Sequence, residues 1–321
     1  MYSKLACFFH PITVLFLDDS KNFLATLELE LTHQGNMVTC TDPSEAVKLI
    51  DGSHSNINEE ILRSLDKSEV DTATDHLIDL DVKKIHHLIY SPDRFKRIAI
   101  LVVDYQMPEM NGLEFCQSIR NKQLCKVMLT AEADQSTAIN AFNEGLINKF
   151  FLKKDEDLYQ KLTDAIEQLK KSYFHQLSQV VLENLGKDFK GLLSNTQFQE
   201  LFCKVQKDSH SVEYYLIDLH GSFLFLDKNA NPTWLIIRSE KDLDEQISIA
   251  EGLGASSEVL EALKSRKKLL FMFSENDYKR PIDQWSSLLI DANKFNGTHY
   301  YSVFGGKLTD QIDWEKVKSY R

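Results

Sequence analysis

The segment Ile98-Ala-Ile-Leu-Val-Val103 is apolar at every position and stops abruptly at Asp104. A strand with one solvated face alternates in polarity, whereas one that is apolar throughout is buried on both faces, as in a parallel sheet covered by helices. The segment therefore commits part of the chain to a layered α/β architecture. Asp104 stands where such a strand emerges at its carboxyl end, the edge at which open α/β sheets hold their ligands.

The rest of the first half agrees with this reading. Residues 13–17, 37–40, 98–103, 126–130 and 150–153 read as strands, and residues 20–33, 44–50, 113–121 and 135–144 read as helices between them. Alternation of this kind predicts a flavodoxin-like, doubly wound five-stranded parallel sheet with right-handed crossovers. The interval 51–97 is too long for an ordinary connection. Helical periodicity over 57–65 and 76–89 predicts a helical insertion, either a small appendage on the flank of the domain or a surface that docks a partner or a second copy. After Lys153, Leu158, Leu162, Ile166, Leu169, Tyr173, Leu177 and Val180 form one apolar stripe of a long helix. The stripe lacks regular flanking charge pairs, which favours packing within the chain over the alternative, a coiled-coil seam in a homodimer. Gly186 and Gly191 bracket a break beyond it.

From about Gly191 the pattern changes. Residues 214–218, 222–226 and 234–237 read as an antiparallel meander joined by His220-Gly221 and by the turn-forming stretch Lys228-Asn-Ala-Asn-Pro232. Ser239 with Asp242 forms a capping pattern that opens an acidic helix through Ala250, and 257–264 resumes it after Gly252 and Gly254. Residues 269–273 read as a further strand, with a hairpin or loop near Phe304-Gly305-Gly306. The second half is thus expected to be a smaller α+β domain with antiparallel strands.

Composition narrows the function classes. With 37 basic and 48 acidic residues the net charge is −11, and residues 212–321 hold 14 basic against 17 acidic. No electrostatic footprint for nucleic acid results, and no convincing helix-turn-helix is present. No apolar stretch approaches the roughly 20 residues that span a bilayer. The run from Leu5 to Phe9 is too short for a signal-peptide core. Five scattered cysteines without a C-x-x-C pair read as buried thiols of a cytoplasmic protein.

Several groups fall at the carboxyl ends of the expected strands. Asp18-Asp19 follows the first, Asp104 ends the third, Thr130 ends the fourth and Lys153 ends the fifth. Carboxylates crowded at one edge repel unless a cation lies between them, and Mg²⁺, which keeps its waters and accepts a phosphoryl oxygen, suits oxygen ligands of this kind. Such an edge suits phosphoryl transfer to Asp104 as nucleophile, with Lys153 neutralising charge on the transferred group and Thr130 donating a hydrogen bond.

Leu17-Asp18-Asp19, Asp104-x-x-Met107-Pro108-x-Met110-x-Gly112, Leu129-Thr130-Ala131 and Phe150-Phe-Leu-Lys153 together resemble the receiver domain of two-component response regulators. The resemblance covers about residues 12–170, interrupted by 51–97. It implies that Asp104 is the phosphoacceptor, that Asp19, Asp104 and the Gln106 carbonyl hold Mg²⁺, and that Asp18 orders the water shell of the metal. It also implies a switch pair, Thr130 and Phe150, and a cognate histidine kinase or phosphotransfer protein as partner. One departure is that Lys153 is followed by Lys154-Asp155 where the family has proline. Alternation from Phe150 favours Lys153 as the phosphoryl contact and leaves Lys154 as the alternative. The organisation implied is a receiver domain at 11–154 with the insertion at 51–97, a terminal helix and linker at 155–190, and an output domain at 191–321.

The output domain carries no metal-dependent phosphohydrolase pattern, Gly-rich nucleotide loop or nucleophile–His–acid order. Asp218, Asp227, Asp277 and Asp283 are not spaced as a site. His86-His87 reads as a solvated helix face, and Lys264 to Lys268 as a solvated helix end. The expected output is an interaction module that engages a protein partner when Asp104 is phosphorylated. The alternatives are an enzyme acting on nucleotides or phosphoesters and, less favoured by charge, a DNA-binding module.

Overall fold

The computed structural model describes residues 5–31, 35–53, 62–64, 78–80, 83–131, 135–184, 187–273, 275–307 and 312–320. The chain divides into two compact units, one of residues 10–59 and 92–179, the other of residues 1–9, 60–91 and 180–321.

The chain opens with β1 (Phe8–Phe9), which belongs to the second unit, and enters the first unit through β2 (Thr13–Leu17), α1 (Lys21–Glu30), β3 (Asn36–Cys40) and α2 (Pro43–Gly52). Local chemistry sets both helix starts. The Ser20 hydroxyl accepts from the Phe23 N–H, and the Asp42 carboxylate accepts from Ser44 and Glu45, with Pro43 at the first helical position. Beyond α2 the described residues are a short antiparallel pair, β4 (Leu62–Ser64) with β5 (Ile78–Leu80), and a helix, α3 (Lys83–His87). The expectation of helix over 57–65 and 76–89 is therefore corrected at 62–64 and 78–80 and holds at 83–87, while 57–61, 65, 76–77 and 81–82 lie outside the described residues. Ile78-Asp79-Leu80 satisfies a period of two as well as a helical period, and in so short a segment cross-strand pairing decides.

The first unit continues with β6 (Ile98–Asp104), α4 (Gly112–Ser118), β7 (Cys125–Thr130), α5 (Gln135–Asn143) and β8 (Lys149–Leu152). Its sheet has the order β3-β2-β6-β7-β8, parallel throughout. This is the flavodoxin-like order. Every residue of β2 and β6 is buried, as a doubly covered strand requires. Leu15, Leu101, Val103, Phe115 and Met128 are among the side chains that fill the core.

The long helix α6 (Leu158–Asn184) is continuous. Leu158, Leu162, Ile166, Leu169, Tyr173 and Leu177 of its stripe are all buried within a single chain, so intramolecular packing uses the face that a coiled-coil seam would need. α7 (Lys187–Ser194) and α8 (Thr196–Asp208) follow, and Gly191 lies inside α7 rather than at a break.

The second unit is built on β9 (Ser211–Leu216), β10 (Phe223–Asp227), β11 (Pro232–Ser239), α9 (Glu240–Gly252), α10 (Ser257–Lys264), β12 (Lys268–Leu270), β13 (Leu289–Asp291), β14 (Asn293–Phe295) and β15 (His299–Gly305). Its six-stranded sheet has the order β1-β9-β10-β11-β15-β14, with antiparallel pairing throughout. The hairpin or loop expected near Phe304-Gly305-Gly306 is a loop: β15 ends at Gly305 and the chain bends at Gly306, while β15 pairs with β11 over seven positions, from Thr233↔Gly305 to Ser239↔His299. The capping pattern at Ser239 and Asp242 is a reciprocal capping box. Phe198 and Phe202 of α8 pack with Phe223, and Phe202 also meets Tyr214 edge-on at 4.8 Å. Among the described cysteines Cys203 is exposed and the other four are buried, which corrects the expectation for Cys203.

This division departs from the boundaries drawn from sequence. The described residues 83–90 and the N-terminal strand group with the second unit because they have partners there. Phe8 and Phe9 pair with Tyr215 and Tyr214 of β9, and the Leu216 N–H donates to the Cys7 carbonyl at 2.7 Å. His86 is buried against Phe273, with ring centroids 5.4 Å apart, and only His87 is exposed, correcting the solvated face expected for that pair. The Lys264 to Lys268 cluster pairs with carboxylates: Lys264 with Glu251, Arg266 with Asp244 and Lys268 with Asp291.

Candidate functional site

Parallel pairing brings the ends of the strands of the first unit to one level. Leu17 of β2 is in register with Val103 of β6, Asp104 with Leu129 of β7, and Thr130 with Leu152 of β8. Backbone bonds continue past the strand ends: Asp18 N–H to Cys40, Tyr105 N–H to Leu129 and Lys153 N–H to Thr130 carbonyls at 3.2, 2.8 and 3.0 Å. The residues just beyond the strands are thereby fixed side by side at the carboxyl edge.

Asp18 and Asp104 are buried there, and Asp19 is exposed. The Lys153 ammonium lies between the buried pair, with Nζ 2.7 Å from Asp18 Oδ2 and 2.8 Å from Asp104 Oδ2. It also stands 4.8 Å from the centre of the Phe23 ring, a cation–π contact that no sequence spacing announces. Asp18 Oδ1 accepts the Ser20 N–H at 2.9 Å, and the Asp104 carboxylate accepts the N–H of exposed Gln106. Lys154 is exposed. Thr130 is buried at the same edge and its hydroxyl donates to the Ala131 carbonyl at 3.0 Å. Phe150, half-buried on β8, meets the exposed ring of Phe142 edge-on at 6.4 Å.

The turn after Asp104 explains its glycine. The Gly112 N–H donates to the Tyr105 carbonyl at 2.8 Å, and a Cβ on Gly112 would overlap the Asp104 carbonyl oxygen and lie 3.0 Å from its carbon. Met107 and Met110 pack on the core, and Asn111 with Glu114 caps α4 reciprocally. The strand, the tight turn and the helix together leave the Asp104 side chain little choice of position.

Burial pushes the Asp104 carboxyl above its ordinary range, and the Asp18 charge adds to this, while the Lys153 hydrogen bond and charge and the Gln106 N–H partly offset it. Burial opposes the Lys153 charge, but its hydrogen bonds and charge attraction with Asp104 and Asp18 prevail and raise its pKa. One oxygen each of Asp18, Asp19 and Asp104 lie within 4.8 Å of one another. Three carboxylates against one ammonium leave two negative charges at a hard-oxygen site, which fits a divalent ion such as Mg²⁺.

The class of protein defined by this fold and edge is a receiver-type α/β domain with an acidic pocket, joined to an antiparallel α+β unit. The response regulator receiver domain family matches residues 56–167. That match starts inside the insertion, so Asp18 and Asp19 precede it and join Asp104 only through the fold. The transcriptional regulatory protein CrdR of Helicobacter pylori is 34% identical over 93 residues, 28% of this chain and 40% of that one. A chemotaxis protein CheY homologue of Campylobacter jejuni is 28% identical over 95 residues, 27% of this chain and 72% of that one. The solved structure of the Legionella pneumophila response regulator LqsR is 30% identical, covers 100% of this chain and 95% of its own, and superposes with a TM-score of 0.80. The chain belongs to the response regulators and carries a receiver domain. Membership implies a histidine kinase or phosphotransfer protein as partner, and no helix among the described residues is long and apolar enough to cross a membrane.

Proposed function

We propose that Asp104 accepts a phosphoryl group from a histidine kinase, a phosphotransfer protein or a small acyl phosphate, and that the resulting acyl phosphate controls an interaction-type output domain in the cytoplasm. The observation that carries this reading is the Lys153 ammonium held 2.8 Å from Asp104 Oδ2 and 2.7 Å from Asp18 Oδ2 at an edge with surplus negative charge.

In the transfer, an Asp104 carboxylate oxygen bonds to phosphorus while the P–N or P–O bond of the donor breaks and the leaving group keeps the electron pair. Lys153 exchanges part of its pairing with Asp104 for the incoming phosphoryl oxygens. The Thr130 hydroxyl leaves the Ala131 carbonyl to donate to the phosphoryl group, and Phe150 follows as the other half of the switch. Asp19, Asp104 and the Gln106 carbonyl would hold Mg²⁺, with Asp18 ordering its waters. When bound, the ion would neutralise charge on the oxygens of the transferring group. The receiver would comprise 11–154 without the inserted residues, with 155–190 leading to an output domain centred on 191–321.

The test is incubation of the full chain with acetyl phosphate and Mg²⁺. One phosphoryl mass is expected on the wild-type chain and none on Asp104→Asn. Equal labelling of both sinks the assignment of Asp104. Pull-downs with and without beryllofluoride then ask whether the output gains a protein partner, and turnover of a phosphodiester panel would replace the interaction reading with an enzymatic one.

A further inference from the structure

The second unit contains a cavity of about 670 Å³ that phosphotransfer to Asp104 leaves unexplained. That volume is within the range of small-ligand pockets. Its walls include His220, Lys241, Asp242 and His299 together with Leu192 and Leu219. These residues come from the β9–β10 turn, the start of α9, the start of β15 and α7, so no local motif unites them. The sequence shows His220-Gly221 only as a turn. Gly221 lets that turn close on α7: its φ is +97°, and a Cβ there would meet Leu192 Cδ2 at 2.5 Å.

The two imidazoles are oriented alike. Nδ1 of His220 lies 3.2 Å from Asp242 Oδ2, and Nδ1 of His299 lies 3.0 Å from Thr298 Oγ1 and 3.2 Å from Asn296 Oδ1. In each ring Nε2 is the nitrogen left for a ligand: it carries the proton in neutral His299 when Nδ1 accepts from the Thr298 hydroxyl, and in His220 when the ring beside Asp242 is protonated. Among the described residues that line the cavity Asp242 is the one carboxylate, and its Oδ2 also accepts the Ser239 N–H at 2.7 Å. Asp218, behind His220, is likewise engaged by Arg238 at 2.9 Å. Lys241 is 85% exposed and is held loosely by Glu245 at 3.7 Å. Engaged acceptors and available donors make the cavity a receptor for an anion, and three donors from three elements suit a group with three terminal oxygens.

We propose that this cavity is a binding site for a phosphomonoester, whose terminal oxygens are taken by His220, His299 and Lys241 and whose organic part lies on Leu192 and Leu219. The hydrogen bond to Asp242 raises the His220 pKa, with the Asp218 charge adding and burial and Arg238 opposing. Burial lowers that of His299, against the Asp242 charge. Protonated His220 strengthens an anion site, so affinity falls as pH rises above the ordinary histidine value of about 6.5.

The experiment titrates phenyl phosphate into the full chain carrying Asp104→Asn, without Mg²⁺, and follows the histidine ring signals by NMR. Removal of Asp104 and the metal keeps phosphotransfer at the receiver edge out of the readout. Saturable shifts of the His220 and His299 signals are expected, with affinity at least tenfold weaker in His220→Gln and in Lys241→Ala, the latter a surface change that leaves the fold intact. Unchanged affinity in Lys241→Ala, or no saturable shift of either ring, overturns the proposal. Phenylacetate binding as tightly as phenyl phosphate overturns the choice of phosphate, and inorganic phosphate doing so overturns the role of the apolar wall.

Discussion

Lys153 Nζ stands 2.8 Å from Asp104 Oδ2, so the ammonium occupies space beside the acid that a divalent ion also seeks. Cation and ammonium compete for the same lone pairs. Lys153→Ala is therefore expected to bind Mg²⁺ more tightly, measured by calorimetric titration. In the proposed transfer the same variant would lack the ammonium that meets the phosphoryl oxygens, and loss of one such electrostatic partner slows a reaction by about 100-fold or more. Phosphorylation by acetyl phosphate, followed by intact mass, checks the second effect. Faster labelling would remove Lys153 from the chemistry.

Gly112 meets Asp104 from the other side. An added methyl would overlap the Asp104 carbonyl oxygen, which is backbone and cannot swing away. Gly112→Ala is expected to destabilise the receiver by about 1–3 kcal/mol, as overpacking does. It should also shift Asp104 and slow phosphorylation. Urea unfolding and intact-mass labelling measure the two effects, and wild-type behaviour in both would show that the turn has slack.

What the sequence made legible follows the range of the interactions. β6 was legible because burial on both faces leaves its mark on every residue, and the α9 cap was legible because Ser239 and Asp242 are three positions apart. Alternation from Phe150 favours Lys153 over Lys154, and the pairing of Thr130 with Leu152 sets Lys153 at the edge, its ammonium beside Asp104. β1 was hidden because a two-residue strand has no period of its own and its partner begins at Ser211. His220 looked like a turn residue because Asp242, its ion-pair partner, lies on another element. Phe23 beneath Lys153 was hidden for the same reason.

The raised Asp104 pKa gives stability a definite pH dependence. Asp104 binds its proton more tightly folded than unfolded, so its ionisation lowers stability as pH rises from the ordinary carboxylate range through its folded value. Above that window the penalty is complete; below the unfolded value, about 3.9, it is absent. Asp104→Asn removes the penalty and should raise the melting temperature of the receiver at pH 7. The gain should vanish near pH 4. A gain that persists unchanged into acid would assign the effect to something other than the buried charge.

The N-terminal strand ties the second unit to a segment that precedes the receiver in sequence. Phe8 is fully buried, pairs with Tyr215, and is flanked by Cys7, whose carbonyl accepts the Leu216 N–H at 2.7 Å. Truncating a buried phenylalanine to alanine costs about 3–5 kcal/mol through lost burial and the cavity left behind. Phe8→Ala is expected to destabilise the second unit by that amount, read from near-ultraviolet circular dichroism, since Trp234, Trp285 and Trp314 all lie in that unit. Phosphorylation of Asp104 in native buffer should continue, because Phe8 belongs to the other unit. By the same logic, a fragment starting at residue 191 lacks both β1 and α3 and should unfold at lower urea than the second unit of the full chain. Equal midpoints would show that the six-stranded sheet does not need its first strand.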